Sequence, residues 1–107
     1  MFETSKSNLS PPRIVCAANR YKTRDSGLVI VPGPRHLDRV MRPLVSRLMP
    51  EIEMEGRRSF EEGFIDQHGK FYNRHDGWMI AALNDQIVKR VGGDGPEASG
   101  LFSENLY

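Results

Sequence analysis

The chain has 107 residues, with 15 Lys and Arg against 14 Asp and Glu, so its formal net charge is +1. This length predicts one domain near the lower limit for a self-sufficient core, and the near-neutral charge gives no electrostatic reason to expect a polymeric nucleic acid as partner. Apolar residues make up only 38% of the chain and the single cysteine excludes an intrachain disulfide, so the core is expected to be thin or completed by oligomerisation.

The first 12 residues, MFETSKSNLSPP, are polar and end in two prolines. This composition predicts a flexible N-terminal arm over 1–12, followed by a single domain over 13–107. The arm lacks the apolar stretch of a secretion signal, and no run approaches the about 18 apolar residues of a membrane span. We therefore expect no membrane partner and a cytoplasmic location.

Two pairs of short apolar runs predict two β-hairpins. The first pair is 14–21 and 28–31, with Asp, Ser and Gly in the connection. The second pair is 62–65 and 70–73, joined by a four-residue loop that starts with Asp66 and ends with Gly69. The runs of the first hairpin are apolar almost throughout rather than alternating, so both faces of the sheet are expected to be covered.

Two helices are predicted between and after the hairpins. Apolar residues recur from Leu37 to Ile52 at helical spacing, but Pro43 requires either a kink or a helix that starts near it. Asn73 is a candidate N-cap for a helix that runs to about Lys89. The segment GGDGPEASG is expected to be a mobile linker, and LFSENLY a docked edge strand or hook. The fold class is therefore α+β, with a small antiparallel sheet from two hairpins packed with two helices.

Arginine is concentrated in residues 13–47, which hold eight basic residues and two acidic ones. A solvated basic face is the simpler interpretation, and an anion site is the alternative. Arg20 lies at the end of the first predicted strand, and Arg35 and His36 lie where the first helix opens, so these three could meet at one sheet edge near a helix N-terminus able to receive phosphate. Most aromatic residues must pack in so small a core; Phe64 is the one most available for stacking on a base.

The sequence gives little support for catalysis or a metal. His68 and His75 lie at opposite ends of a predicted strand and cannot share one ion. Cys16 lies in an apolar strand, where burial should raise its pKa and make it a poor nucleophile. No phosphate-binding loop of the Walker type is present. We therefore expect no metal, no cofactor and no catalytic residue.

The order of several short motifs resembles that of a known phage protein family. These motifs are CAANRY, GPRHLD, GFIDQHGKFYNRHDGW and the terminal LFSENLY. Together they are similar to the first-described type of Thoeris anti-defence protein, over about residues 14–107. One position departs from the family pattern, since Asn105 stands where Asp is expected.

The resemblance implies a counter-defence protein that binds a cyclic ADP-ribose-type signal, glycocyclic ADP-ribose, without cleaving it, in the cytoplasm of the infected bacterial host. Some members also hold cyclic di- or trinucleotides of cGAS-like signalling. The family forms dimers and hexamers with ligand pockets at subunit contacts, so homo-oligomerisation is expected. Matching the motifs residue by residue gives these ligand-binding candidates, with Phe64 as the stacking group and Arg20, Arg35 and Arg74 for pyrophosphate: Asn19, Arg20, Arg35, His36, Asp38, Phe64, Arg74, Ser103, Glu104 and Asn105.

Two other hypotheses stay open at this point. One is a small nucleotide-processing enzyme, such as a phosphodiesterase-like hydrolase, that uses His36, His68 or His75 with Asp partners. The other is an inhibitor that binds a host protein through the apolar stripe of its first helix. The first predicts a changed product after incubation with a nucleotide, and the second predicts no small-molecule binding.

Overall fold

The structure, a computed structural model, describes residues 10–52 and 60–107. Its strands are β1 (Ile14–Lys22), β2 (Leu28–Gly33), β3 (Glu61–Asp66) and β4 (Phe71–Asn73). Its helices are α1 (Met41–Leu48) and α2 (Arg74–Leu83), with short 3-10 turns at Met49–Glu51 and Ser103–Asn105. The four strands form one antiparallel sheet in the order β2-β1-β3-β4. The predicted α+β class, with two hairpins and two helices, is confirmed.

The turn between β3 and β4 forms as its sequence indicates. The amide of Gly69 donates to the carbonyl of Asp66 at 3.0 Å, and Gly69 takes a φ of +82°. The Asp66 carboxylate accepts the amides of His68 and Lys70 at 2.8 and 2.9 Å. These bonds satisfy the turn locally, which is why the Asp-to-Gly spacing alone predicted it.

Both helices pack against the same face of the sheet. On β1, Ala17 lies in the cluster that α2 covers, and Tyr21 lies in the cluster that α1 covers. Side chains two residues apart share a face of a strand, so these two clusters are neighbours on one side. Within the described ranges no helix covers the other face, where Arg20 lies over the ring of Phe71. Both faces of the sheet were expected to be covered, but the helices in the described part of this chain cover only one.

Helix α1 begins late enough to accommodate its proline. Asp38 precedes it, and the carboxylate of Asp38 accepts the amides of Val40 and Met41, each at 2.9 Å. Pro43 is the third helical residue, so its missing N–H falls among those that have no partner inside a helix. The prediction of a helix that starts near Pro43 is confirmed, and the alternative of a long kinked helix is not.

Helix α2 starts as predicted and ends early. The Asn73 side chain accepts the amide of Asp76 at 2.8 Å, which confirms the N-cap. The helix stops at Leu83 rather than near Lys89, because Asp85 takes a φ of +57° and turns the chain back. This reversal lets the Gln86 side chain bond both the amide and the carbonyl of Ile14, at 2.9 and 2.8 Å.

The segment after α2 is ordered by specific hydrogen bonds, so the prediction of a mobile linker is wrong. Gly95 and Gly100 pair as a short bridge, and the Leu101 amide donates to the carbonyl of Arg74 at 2.8 Å. The Asp94 carboxylate receives the Arg90 guanidinium and the side-chain amide of Asn105. The C-terminal residues form a docked hook with a 3-10 turn, not an edge strand.

The predicted N-terminal arm is described only in part. Residues 1–9 lie outside the described residues. The carbonyls of Ser10, Pro11 and Pro12 accept hydrogen bonds from side chains of the domain, namely His68, Gln67 and Asn84. This part of the arm is therefore docked against the domain.

Candidate functional site

A cavity of about 430 Å³ opens on the face of the sheet that carries the helices. It lies between β3, the first residue of α2, the corner after β2 and the C-terminal hook. Five of the ten candidate residues line it, although they come from three distant parts of the chain. The lining residues are Arg35, His36, Glu62, Arg74, Val91, Gly92, Phe102, Ser103 and Glu104.

Arg74 stands at the start of α2 and is held from two sides. Its guanidinium donates to the carbonyl of Leu101 at 2.7 Å and to the carboxylate of Glu62 at 2.6 Å. The same group lies over the ring of Phe102, 5.0 Å from the centroid. An arginine has five donors in one plane, so these contacts fix its orientation and leave further donors for a ligand.

Arg35 lines the cavity from the corner between β2 and α1. Its guanidinium donates to the carbonyl of Ser103 at 3.0 Å and to the main-chain oxygen of Tyr107, and it lies 4.7 Å from the centroid of the Tyr107 ring. The backbone at this corner is fixed by Asp38, whose carboxylate accepts the Arg35 amide at 3.0 Å. Both arginines of the cavity therefore hold the C-terminal hook in place.

His36 lies at the back of the cavity against the sheet. Its Nε2 is 2.8 Å from the carbonyl oxygen of Gly63, and its ring meets the Phe64 ring edge-on with 5.4 Å between centroids. Burial is the largest effect on the pKa of His36 and lowers it, while the hydrogen bond with the Gly63 carbonyl opposes this. Arg74 lowers the pKa further, and Glu62 and Glu104 have smaller raising effects. His36 is consequently neutral at pH 7.

The cavity combines both signs of charge. Arg35 and Arg74 are positive, and Glu62 and Glu104 are negative, so the formal charge of the lining is zero when His36 is neutral. A site for a simple anion would carry an excess of positive charge. This lining suits a ligand that presents anionic groups to the arginines and hydrogen-bond donors to the carboxylates.

Arg20 is not in the cavity. It lies on the opposite face of the sheet, where it pairs with Glu61 at 2.5 Å. Glu61 and Glu62 are consecutive on β3 and point to opposite faces, so Arg20 pairs with one and Arg74 with the other. The expected meeting of Arg20 with Arg35 and His36 does not occur.

The remaining four candidates have roles inside the fold. Phe64 is completely buried in the core between β1 and α2, so its faces are not open for stacking. Asn19 is buried and donates to the Tyr21 hydroxyl at 3.0 Å. Asp38 caps α1, and Asn105 is buried and bonds Asp94 and the carbonyl of Lys89.

Four lining residues were not among the sequence candidates: Glu62, Val91, Gly92 and Phe102. For Glu62 a signal exists, because it lies two residues before Phe64 on the same strand and so shares its face. For the other three no local pattern exists, since they depend on how the segment after α2 folds back on the domain.

The described residues hold neither a metal-binding cluster nor a membrane-spanning helix. Across 10–52 and 60–107, no group of three or more His, Cys, Asp or Glu side chains is placed to hold a metal ion. In the same ranges no helix has the length and apolar character needed to cross a bilayer.

Residues 13–107 match a protein-family model described as Phage T4 y16D protein. The match includes both hairpins, both helices and every residue that lines the cavity. The chain belongs to this phage family. No curated protein and no solved structure matches it.

Proposed function

We propose that this phage protein binds a cyclic ADP-ribose-type signal in the cavity and sequesters it without cleavage. It would thereby act in the infected cell as a counter-defence protein against the Thoeris system. The observation that carries the proposal is the convergence of Arg35, His36, Arg74, Ser103 and Glu104 on one cavity. All five belong to the sequence motifs that carry the resemblance, and Arg35 and Ser103 are 68 positions apart in the chain.

The chemistry of the lining supports a nucleotide of this class over a simple anion. The two arginines of the lining match two phosphate groups, since a guanidinium group binds phosphate oxygens through paired hydrogen bonds. The carboxylates of Glu62 and Glu104 are acceptors, and ribose hydroxyls are the donors of an ADP-ribose ring. A pyrophosphate alone would satisfy the arginines and meet repulsion from the carboxylates.

The volume and the rigidity of the lining also favour binding. A cavity of about 430 Å³ lies within the roughly 300–1,000 Å³ of small-molecule sites. Each arginine is already oriented by two backbone or carboxylate acceptors and an aromatic ring. Preorganised donors lose little freedom on binding, which favours the slow release that sequestration requires.

The direct test is to incubate the protein with glycocyclic ADP-ribose, measure binding by calorimetry, then denature it with heat and analyse the released ligand by chromatography. We expect saturable binding that is tighter than for inorganic pyrophosphate, with the ligand recovered intact. A changed product would instead support the alternative of a nucleotide-processing enzyme. Absence of binding would overturn the proposal and favour an inhibitor that binds a protein.

Arg74→Lys tests the site itself, with Arg90→Lys as a matched control. Arg90 also forms an ion pair, with Asp94 at 2.8 Å, and lies over an aromatic ring, that of Trp78, but it does not line the cavity. Loss of charged hydrogen bonds costs about 1.5–3 kcal/mol, so Arg74→Lys should weaken binding roughly 10- to 150-fold. Equal loss in both variants would mean that the effect is structural and that the site lies elsewhere.

A further inference from the structure

One nitrogen of His36 has no hydrogen-bond partner among the residues that the structure describes. A carbonyl oxygen only accepts hydrogen bonds, so the contact between Nε2 and the Gly63 carbonyl at 2.8 Å requires the proton to be on Nε2. In the neutral ring this leaves Nδ1 with a free lone pair. Among the described residues no group donates to Nδ1, and it is not among the buried side-chain atoms that lack a partner. Since His36 lines the cavity, Nδ1 is the ring nitrogen left for a ligand there.

We infer that His36 is a specificity-determining residue: its Nδ1 accepts a hydrogen bond from a ribose hydroxyl of the ligand, while Nε2 anchors the ring to the sheet. This inference rests on the proposed function and adds to it the role of one side chain. It assigns to His36 recognition of the sugar, and leaves the phosphates to Arg35 and Arg74.

The surroundings of His36 keep it in the accepting form. The ring is packed edge-on against Phe64, and burial lowers its pKa, so it stays neutral at pH 7 and Nδ1 keeps its lone pair. A protonated His36 would carry a donor at Nδ1 and would compete with the arginines for phosphate. The Gly63 carbonyl fixes the tautomer of the neutral ring. The ring therefore favours a ligand that carries a hydrogen-bond donor over one that carries only acceptors.

Two substitutions distinguish the role of Nε2 from the role of Nδ1. His36→Gln places an amide nitrogen near the position of Nε2, which keeps a donor for the Gly63 carbonyl and removes the acceptor at Nδ1. His36→Asn places an amide oxygen near the position of Nδ1, which keeps the acceptor and removes the anchor. A purely structural histidine would be replaced better by Gln, whereas a ligand-reading histidine would be replaced better by Asn.

The experiment measures binding of glycocyclic ADP-ribose and of inorganic pyrophosphate to the wild-type protein and both variants at pH 7.5. Losing one neutral hydrogen bond should weaken binding of the cyclic nucleotide by His36→Gln about 3- to 10-fold. Pyrophosphate has no ribose hydroxyl to offer, so its binding should change less than twofold. His36→Asn should bind the nucleotide more tightly than His36→Gln does.

Nitrogen-15 spectra of the wild-type imidazole provide a readout that a structural role would not change. Without ligand we expect the proton on Nε2 and an unprotonated Nδ1, and ligand should shift the Nδ1 resonance most. A proton on Nδ1, or unchanged nucleotide affinity in His36→Gln, would overturn the inference while wild-type binding leaves the proposed function intact. Absence of wild-type binding would overturn both.

Discussion

Gly100→Ala should weaken the wall of the cavity that the segment after α2 builds. Gly100 has a φ of +81°, a region that residues with a Cβ rarely adopt. A Cβ there would also lie 2.5 Å from both the carbonyl carbon and the oxygen of Arg74, and 2.8 Å from the amide nitrogen of His75. Because these are backbone atoms of α2, the segment itself must move away from the helix.

The magnitude follows from two contributions. The left-handed conformation costs about 1–2 kcal/mol for a residue with a side chain. Displacement of the segment would break the hydrogen bond from the Leu101 amide to the Arg74 carbonyl, at about 1 kcal/mol, and would partly expose the fully buried Leu101 side chain. We expect a total of about 2.5–4 kcal/mol, which corresponds to a fall in Tm of roughly 10–25 °C.

Two other glycines provide matched controls for urea and thermal unfolding. Gly69 also has a positive φ, +82°, but has open space around its Cβ position, so Gly69→Ala should cost only the conformational term of about 1–2 kcal/mol. Gly92 has open space there and needs no positive φ, so Gly92→Ala should stay within about 0.5 kcal/mol of wild type. If Gly100→Ala cost no more than Gly69→Ala, the close approach of the segment to α2 would be refuted.

Three further predictions concern stability and ionisation. Asn73→Ala removes the N-cap of α2 and should cost about 1 kcal/mol in urea unfolding; a cost near zero would contradict the capping bond to Asp76. Burial lowers the folded-state pKa of His36, so the stability it contributes is present above its unfolded value of about 6.5 and is lost as pH falls through the lower folded value. Urea unfolding measured from pH 7.5 to 5 should show a fall in the free energy of unfolding of the wild type and a smaller fall in His36→Gln. Equal falls in the two proteins would refute the lowered pKa of His36. Burial raises the pKa of Tyr21 and Tyr107, and burial together with the Asp66 carboxylate raises that of Tyr72 to about 12. The latest phenol ionisation in an ultraviolet titration should therefore be absent from Tyr72→Phe; a variant that keeps this ionisation would be the contrary result.

Local patterns in the sequence were sufficient for the parts of the fold whose hydrogen bonds are local. The turn from Asp66 to Gly69 and the cap at Asn73 are closed within four residues, so their residue types specify them directly. The position of Pro43 in the first turn of α1 follows in the same way from its missing N–H.

The end of α2 could not be predicted from the neighbouring residues. The apolar pattern continues beyond Leu83, but the helix stops there and Gln86 bonds both backbone groups of Ile14, 72 residues earlier in the chain. Likewise the glycine-rich segment has the composition of a linker, but it is ordered by contacts with Arg74 and Asn105 that its own residues do not specify.

For the candidate site, the sequence identified the residue types and the tertiary structure selected among them. Asn19 and Arg20 were both candidates, although consecutive residues of a strand point to opposite faces and cannot line one cavity together. That conflict was visible in the sequence. The sequence did not show which face of the sheet carries the cavity, because that depends on where α1, α2 and the C-terminal hook pack.

The sequence by itself determined the two hairpins, the two helix starts and the presence of arginines suited to phosphate, because turns, caps and side-chain chemistry act over a few residues. Only the tertiary structure brought Arg35, His36, Arg74 and Glu104 to one cavity and placed Arg20 on the other side of the sheet. The physical reason is that the cavity is closed by contacts between distant segments, such as the bond from Arg35 to the Ser103 carbonyl. Their energies depend on packing of the whole domain rather than on any local pattern.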